Sequence, residues 1–145
     1  MLVNKEFDVI VVGVGGMGSA TVYQLASRGL LVLGIDRYNI PNRMGSSHGI
    51  SKIIRLSYHE DPSYVPLVRR SYELWHQLEK MVNEKLLVQT GTIRGGPEDG
   101  AMFSGSLRAC QIHELAHEVL DAEALQRRFP AYTVPSGTMS VVQRE

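Results

Sequence analysis

The stretch that decides the fold is Phe7-Asp8-Val9-Ile10-Val11-Val12-Gly13-Val14-Gly15-Gly16-Met17-Gly18. Phe7 to Val12 is a short apolar, β-branched run, too brief for a helix and suited to a strand buried on both faces. Glycines end it. Beyond them, Met17, Ala20, Val22, Leu25 and Ala26 recur at roughly helical spacing, and Gly29 supplies the stop. Leu30 to Ile35 reads as a second strand, closed by Asp36. Two parallel strands joined by a helix within about 30 residues make a right-handed βαβ unit.

The Gly-x-Gly-x-x-Gly spacing at Gly13, Gly15 and Gly18 carries chemistry because of its context. It follows a strand, opens a helix, and is answered by Asp36, 18 residues after Gly18. The first glycine permits the turn, the second lets backbone approach a pyrophosphate, and the third lets helix pack on strand. The helix N-terminus offers unpaired N–H groups to the anion. Asp36 is placed to accept from ribose hydroxyls and repels a 2′-phosphate, although Arg37 beside it works the other way. FAD and NAD share the ADP half, so this fingerprint alone leaves both open.

Arg37 to Ser51 holds Pro41, Gly45 and Gly49 among Asn and Ser residues, a composition for a long loop. Within it, Gly45-Ser46-Ser47-His48-Gly49 provides small residues, free backbone N–H groups and two hydroxyls, and Lys52 and Arg55 follow three residues apart. Such a loop suits a second phosphate or a flavin edge. A plain polar surface loop has the same composition.

Further on, Asp61-Pro62 reads as an N-cap with proline at the first helical position. Tyr64, Val68, Tyr72, Trp75, Leu78 and Val82 then repeat at helical spacing, to about Lys85. Leu86 to Arg94 reads as one bent strand or two short ones around Gly91, and Glu98 to His113 as helix. Glu118 to Leu120 reads as extended, and Asp121 to Phe129 as a short helix capped by Asp121 and stopped by Pro130. Thr138 to Gln143 resembles a strand with nothing after it to pair or cover it. Trp75 and the tyrosines at helical spacing are expected in the core.

Composition narrows the rest. The 145 residues suffice for one ordinary domain and are too few for two full ones. Lys plus Arg number 15, as do Asp plus Glu, leaving no net field for a polyanion or an anionic membrane. Nucleic acid and membrane are not expected partners. No apolar run approaches the roughly 20 residues that span a bilayer. The single cysteine, Cys110, excludes an internal disulfide framework, fits a reducing, cytoplasmic setting, and reads as a small packed residue.

One motif competes with the nucleotide reading. His113-Glu114-Leu115-Ala116-His117 matches HExxH, which on a helix would set two imidazoles and a glutamate around zinc. The backbone is expected to change from helix to extended between the two histidines, and Leu120 and Glu123 stand where a third-ligand signature needs glycine and histidine. No metal is expected.

The strand-and-glycine opening, Ile35-Asp36, and above all Gly45-Ser46-Ser47-His48-Gly49 with Lys52-Ile53-Ile54-Arg55, resemble the monomeric sarcosine oxidase group. That group includes N-methyltryptophan and pipecolate oxidases within the D-amino-acid-oxidase-like flavoproteins. Tyr64-Val65-Pro66-Leu67, Glu73-Leu74-Trp75, Leu78-Glu79, Thr90-Gly91 and Arg128-Phe129-Pro130 are similar too, in the same order. The resemblance implies an α/β fold, with a Rossmann-like FAD-binding βαβ unit and the start of an α+β substrate domain. Residues 1–85 would then belong to the FAD-binding domain and 86–145 begin the substrate domain. It implies FAD as cofactor, with hydride passing from a secondary or N-methyl amino acid to flavin and O2 reduced to hydrogen peroxide. It assigns Gly13, Val14, Gly15, Gly16, Met17, Gly18, Asp36, Arg37, Gly45, Ser46, Ser47, Lys52 and Ile53 to cofactor binding. His48, Lys52 and Arg55 fall to catalysis, with Arg55 anchoring the substrate carboxylate.

The family chain is more than twice as long, so the expectation is an N-terminal fragment with an incomplete fold, inactive alone and part of a monomer when complete. Where the family has arginine before the Ile-Ile pair, this chain has Lys52, a point charge without a planar fork. An NAD-dependent Rossmann dehydrogenase and a non-catalytic nucleotide-binding remnant are the alternatives, and flavin absorbance separates the first of these from an oxidase.

Overall fold

The computed structural model describes residues 6–144, which divide into two compact units between Ile53 and Ile54 rather than forming one ordinary core. In the first unit, β1 (Val9–Val12) pairs in parallel with β2 (Val32–Ile35), Val9 opposite Val32 and Val12 opposite Ile35. Helix α1 (Gly16–Ala26) makes the crossover and stops short of Gly29. Asp8 extends the pairing, its carboxylate accepting from the Leu31 N–H at 2.7 Å. This is the expected βαβ unit. The expectation that β1 is buried on both faces does not hold, since Ile10 and Val12 are 55% and 82% exposed. A two-stranded sheet with one helix covers one face only, and among the described residues none in this unit is fully buried.

The second unit is an antiparallel sheet in the order β3-β5-β4 with three helices. Helix α2 (Tyr64–Val82) follows a turn in which Asp61 accepts from the Ser63 N–H at 2.8 Å, so Asp61 caps the approach to the helix rather than the helix itself. Pro66 falls in the first turn, where a missing N–H costs nothing. At the far end Asn83 takes the left-handed conformation that closes a helix. Glu79 then collects the chain as it leaves: its carboxylate accepts from the N–H groups of Leu86 and Leu87 and lies 2.9 Å from His76 Nδ1. Those bonds, led by the one from Leu87, bring its pKa down from 4.5 to about 2.

Strand β3 (Thr92–Pro97) begins after Gly91 and runs three residues past Arg94, whereas Leu86 to Thr90 is not in a strand. Gly91 has a positive φ and breaks the extended run the sequence pattern implied. Helix α3 (Ala101–Ile112), β4 (Glu118–Asp121) and α4 (Ala122–Arg128) follow as expected, with Asp121 capping α4 by accepting from Ala124 N–H at 2.7 Å. Strand β5 (Thr138–Gln143) corrects the reading of an unpaired, uncovered end. It is the central strand, paired with β3 and β4, and Val141 and Val142 are buried on it. The core gathers Val65, Phe103, Ala109, Cys110, Leu115 and Val141 from the two long helices, the turn after α3 and β5. Trp75 departs from expectation, being 42% exposed, as does the similarly exposed Tyr64.

Two contacts fix the segment before α2 against α3. A Cβ at Gly105 would lie 2.2 Å from the carbonyl oxygen of His59, so only glycine lets the 57–60 segment lie against this helix. Buried beside it, Ser106 Oγ donates to the Ser57 carbonyl at 3.4 Å. His59 and Glu60 are thereby held beside Arg55. No described helix is long and apolar enough to cross a membrane.

Candidate functional site

The glycine turn of the first unit is built as its spacing requires. Gly13 N–H donates to the Ile35 carbonyl at 2.7 Å, continuing the sheet, while its φ of 91° turns the chain away from the strand. A Cβ on Gly18 would stand 1.8 Å from the Gly13 carbonyl oxygen, so helix and strand approach as closely as backbone allows. Above Gly15 the space is open: a Cβ there would meet nothing within 4 Å. The N-cap Gly15 places no side chain on the first N–H groups of α1, and no acidic residue lies in its first turn. The helix therefore presents uncapped donors and positive dipole to that open side.

Asp36 follows β2 and reaches back to the turn. Its Oδ2 accepts from Val14 N–H at 2.7 Å and its Oδ1 from Tyr38 N–H at 3.0 Å. These two bonds, the Tyr38 one first, hold its carboxyl below the usual range, so it is ionised at neutral pH. Fingerprint and acid, matched in the sequence by their spacing, are joined here by a direct hydrogen bond. Arg37 points elsewhere, its guanidinium lying over the Tyr38 ring at 5.6 Å.

The second loop comes to the same place. A Cβ on Gly16 would be 3.3 Å from Ser47 Cβ, which sets Ser47 against the start of α1. The loop is tied internally: His48 Nδ1 lies 3.1 Å from the Gly45 carbonyl, and Lys52 Nζ donates to the Ser46 carbonyl at 2.9 Å. Lys52 thus closes the loop that carries Ser46 and Ser47. Met17 and Ile53 both have exposed side chains. Of the residues expected at the cofactor, Gly13 to Gly18, Asp36 and Ser47 are brought together.

Arg55 belongs to the second unit and stands among charged partners. Its Nη2 is 3.6 Å from Glu60 Oε1, and its guanidinium stacks 4.7 Å from the centre of the Tyr58 ring. Glu60 Oε2 is in turn 2.9 Å from His59 Nδ1, and the same nitrogen meets Nη2 of Arg94 from β3. Burial, and after it the charge of Arg55, make the Arg94 guanidinium less basic than an ordinary arginine. Sequence reasoning missed Arg94, His59 and Glu60. Arg94 closes the strand read over Leu86 to Arg94, where a charged residue gives no signal.

The HExxH run is not a helix face. Helix α3 ends at Ile112, and Glu114 takes a positive φ of 51°. The rings turn to different carbonyls, His113 Nε2 to Pro62 and His117 Nδ1 to Leu115, each at 2.7 Å. Among the described residues no group of three or more His, Cys, Asp or Glu gathers as metal ligands.

A family model described as DAO, FAD dependent oxidoreductase, matches residues 8–142. The chain belongs to this family. FAD is therefore the family's dinucleotide, which sets aside the NAD-dependent alternative. Among curated relatives, the chain is 41% identical over 142 residues to monomeric sarcosine oxidase of Streptomyces avermitilis, covering 98% of this chain and 37% of that protein. It is 37% identical over 138 residues to N-methyl-L-tryptophan oxidase of Yersinia pestis, covering 95% of this chain and 37% of the relative. Among solved structures it is similar to NikD, an unusual amino acid oxidase essential for nikkomycin biosynthesis, in its open form. That likeness has a TM-score of 0.79 at 29% identity and covers 95% of this chain and 36% of NikD. The chain spans little more than a third of the length of these relatives.

Proposed function

We propose that this chain supplies the ADP-binding part of an FAD-dependent oxidase that acts on secondary or N-methyl amino acids. The observation that carries the reading is the Val14 N–H to Asp36 bond, which holds an ionised carboxylate beside the open, uncapped N-terminus of α1. A dinucleotide needs both at once, donors for its pyrophosphate and an acceptor for its ribose hydroxyls. Gly13 to Gly18 would hold the pyrophosphate and Asp36 the ribose, while Arg37, Gly45, Ser46, Ser47, Lys52 and Ile53 belong to the same cofactor-binding part. In this reading residues 1–85 form part of the FAD-binding domain and 86–145 begin the substrate domain.

FAD, when bound, supplies the acceptor for the hydride that leaves the carbon bearing the amine, with O2 then taking both electrons to give hydrogen peroxide. The chain's own residues bind and orient. Arg55 holds the substrate carboxylate with two parallel N–H···O bonds, which fixes the reacting C–H in one direction. Lys52 and His48 complete the catalytic set: Lys52 adds a positive charge on the loop that carries Ser47, and His48, bonded to Gly45, keeps that loop in shape.

The test is Asp36→Ala in the complete protein. The wild type is expected to purify yellow, with flavin absorption bands, and the variant to bind FAD about tenfold or more weakly, the scale of a charge-assisted pair of hydrogen bonds. Unchanged FAD affinity would remove Asp36 from the site, and a colourless wild type that takes up no added FAD would overturn the reading.

A further inference from the structure

The loop after β2 is tied to itself entirely within the first unit. His48 donates its backbone N–H to the Gly45 carbonyl at 3.2 Å, and its Nδ1 lies 3.1 Å from the same oxygen. Gly49 then takes a φ of 129°, a conformation that residues with side chains rarely adopt, and the chain turns back. The reversal brings Lys52 alongside Ser46. Its Nζ donates to the Ser46 carbonyl at 2.9 Å and stands 3.7 Å from where Gly49 would carry a Cβ. One side chain thereby joins two points six residues apart into a ring.

What the ring holds is Ser47. Its Cβ and Oγ are the atoms from elsewhere in the chain that a Cβ on Gly16 would meet, at 3.3 and 3.6 Å, and Oγ is also 3.7 Å from a Cβ on Gly45. The hydroxyl stands between two glycines, at the first residue of α1, with bare backbone on both sides. Ser47 is exposed. A hydroxyl in that place can donate to the same anion as the first N–H groups of the helix. No atom of Lys52 is among these neighbours of Gly16, so the ammonium serves the loop while the hydroxyl serves the helix end. An ammonium suits a single carbonyl, being a point donor on a flexible stem, whereas a guanidinium fork matches an anion.

We infer that Lys52 is a positioning residue for the pyrophosphate of the cofactor: it acts through Ser47, whose hydroxyl donates to a phosphate oxygen. The inference rests on the proposed dinucleotide reading and assigns this loop to one part of FAD. Composition suits the loop equally to a second phosphate or to a flavin edge. The contact with Gly16 selects the phosphate, because the pyrophosphate in that reading lies at the N-terminus of α1. A residue that acts through another has a signature. Removing either member breaks the same interaction, so the two losses do not add.

The experiment is a double-mutant cycle in the complete protein, deflavinated and titrated by calorimetry with FAD and, separately, with ADP. Ser47→Ala and Lys52→Met should each weaken FAD binding about tenfold, the scale of one charge-assisted hydrogen bond, and ADP binding by about the same factor. The double variant should also lose about tenfold, where independent effects would multiply to about a hundredfold. Lys52→Arg, which keeps a charged donor, should lose less than Lys52→Met. Circular dichroism checks folding, and Lys52→Gln takes the place of Lys52→Met in the cycle if that variant does not fold. Losses that add overturn the inference, because Lys52 would then act on the cofactor by its own charge. A loss on FAD with ADP binding unchanged also overturns it, by moving the loop to the flavin edge, as does wild-type FAD affinity in either single variant. Failure of the parent reading is visible separately: a complete protein that takes up neither FAD nor ADP overturns both.

Discussion

Replacing Gly18 by alanine tests the nucleotide turn with a single methyl group. A Cβ at this position would stand 1.8 Å from the Gly13 carbonyl oxygen and 2.9 Å from its carbon, both backbone atoms that no rotamer can move aside. Merely to reach 3.0 Å, the gap between α1 and the end of β1 must open by about 1.2 Å, still well inside ordinary van der Waals separation. Val11 Cγ1, 3.5 Å away, blocks the simplest sideways escape. A hydrogen bond of about 2.9 Å stretched by that much is no longer a bond. The pyrophosphate would therefore lose donors from the first turn of α1, and FAD affinity should fall about a hundredfold, equivalent to about 2.7 kcal/mol. The assay is titration of the deflavinated complete protein with FAD, read by flavin fluorescence quenching, with circular dichroism to confirm that the rest of the chain is folded. A folded Gly18→Ala protein with wild-type FAD affinity would refute the argument, because the close approach of helix and strand would then have no bearing on the cofactor.

Glu79→Gln should lower the melting temperature at neutral pH by weakening the bonds that gather Leu86, Leu87 and His76. Because folding lowers this carboxyl from 4.5 to about 2, its contribution is fully present above 4.5 and is lost as pH falls through about 2. The gap between wild type and variant in thermal melts should therefore close across that window, and a gap independent of pH would show the carboxylate's charge to be irrelevant. Arg55→Ala in the complete protein should raise KM for a secondary amino acid by one to several orders of magnitude, the loss of two bonds of about 1.5–3 kcal/mol each, and spare the matching amine without a carboxylate. Equal losses on both substrates in steady-state kinetics would instead give Arg55 a structural role, through Glu60 and Tyr58.

The parts of this fold legible in the sequence are those whose causes are local. The βαβ unit is specified by residues 7 to 36, and each step has its signal nearby: β-branched strand, glycine turn, helical period, terminating acid. Helix α4 is equally local, with its cap at Asp121 and its stop at Pro130. Strand β5 shows the other side. Its segment reads as a strand, but its place in the sheet depends on β3 and β4, earlier in the chain, so a run near the end that looked unpaired is the centre of the second unit. Trp75 fails for a related reason: period shows that one side of a helix is apolar and does not show how much of that side other elements cover.

The same division runs through the site. The fingerprint and Asp36 could be matched because their separation is set by one βαβ crossover, and the Val14 to Asp36 bond follows from that geometry. Arg94 and His59 are 35 residues apart with a helix between them, and no spacing rule connects them. In the sequence Arg94 closes the strand read over Leu86 to Arg94, where a charged residue is unremarkable, whereas in the structure β3 continues to Pro97 and holds the guanidinium against His59. Glu60 pairs with Arg55 and lies beside His59, so the 55–60 segment and β3 meet through side chains that only the folded chain brings together.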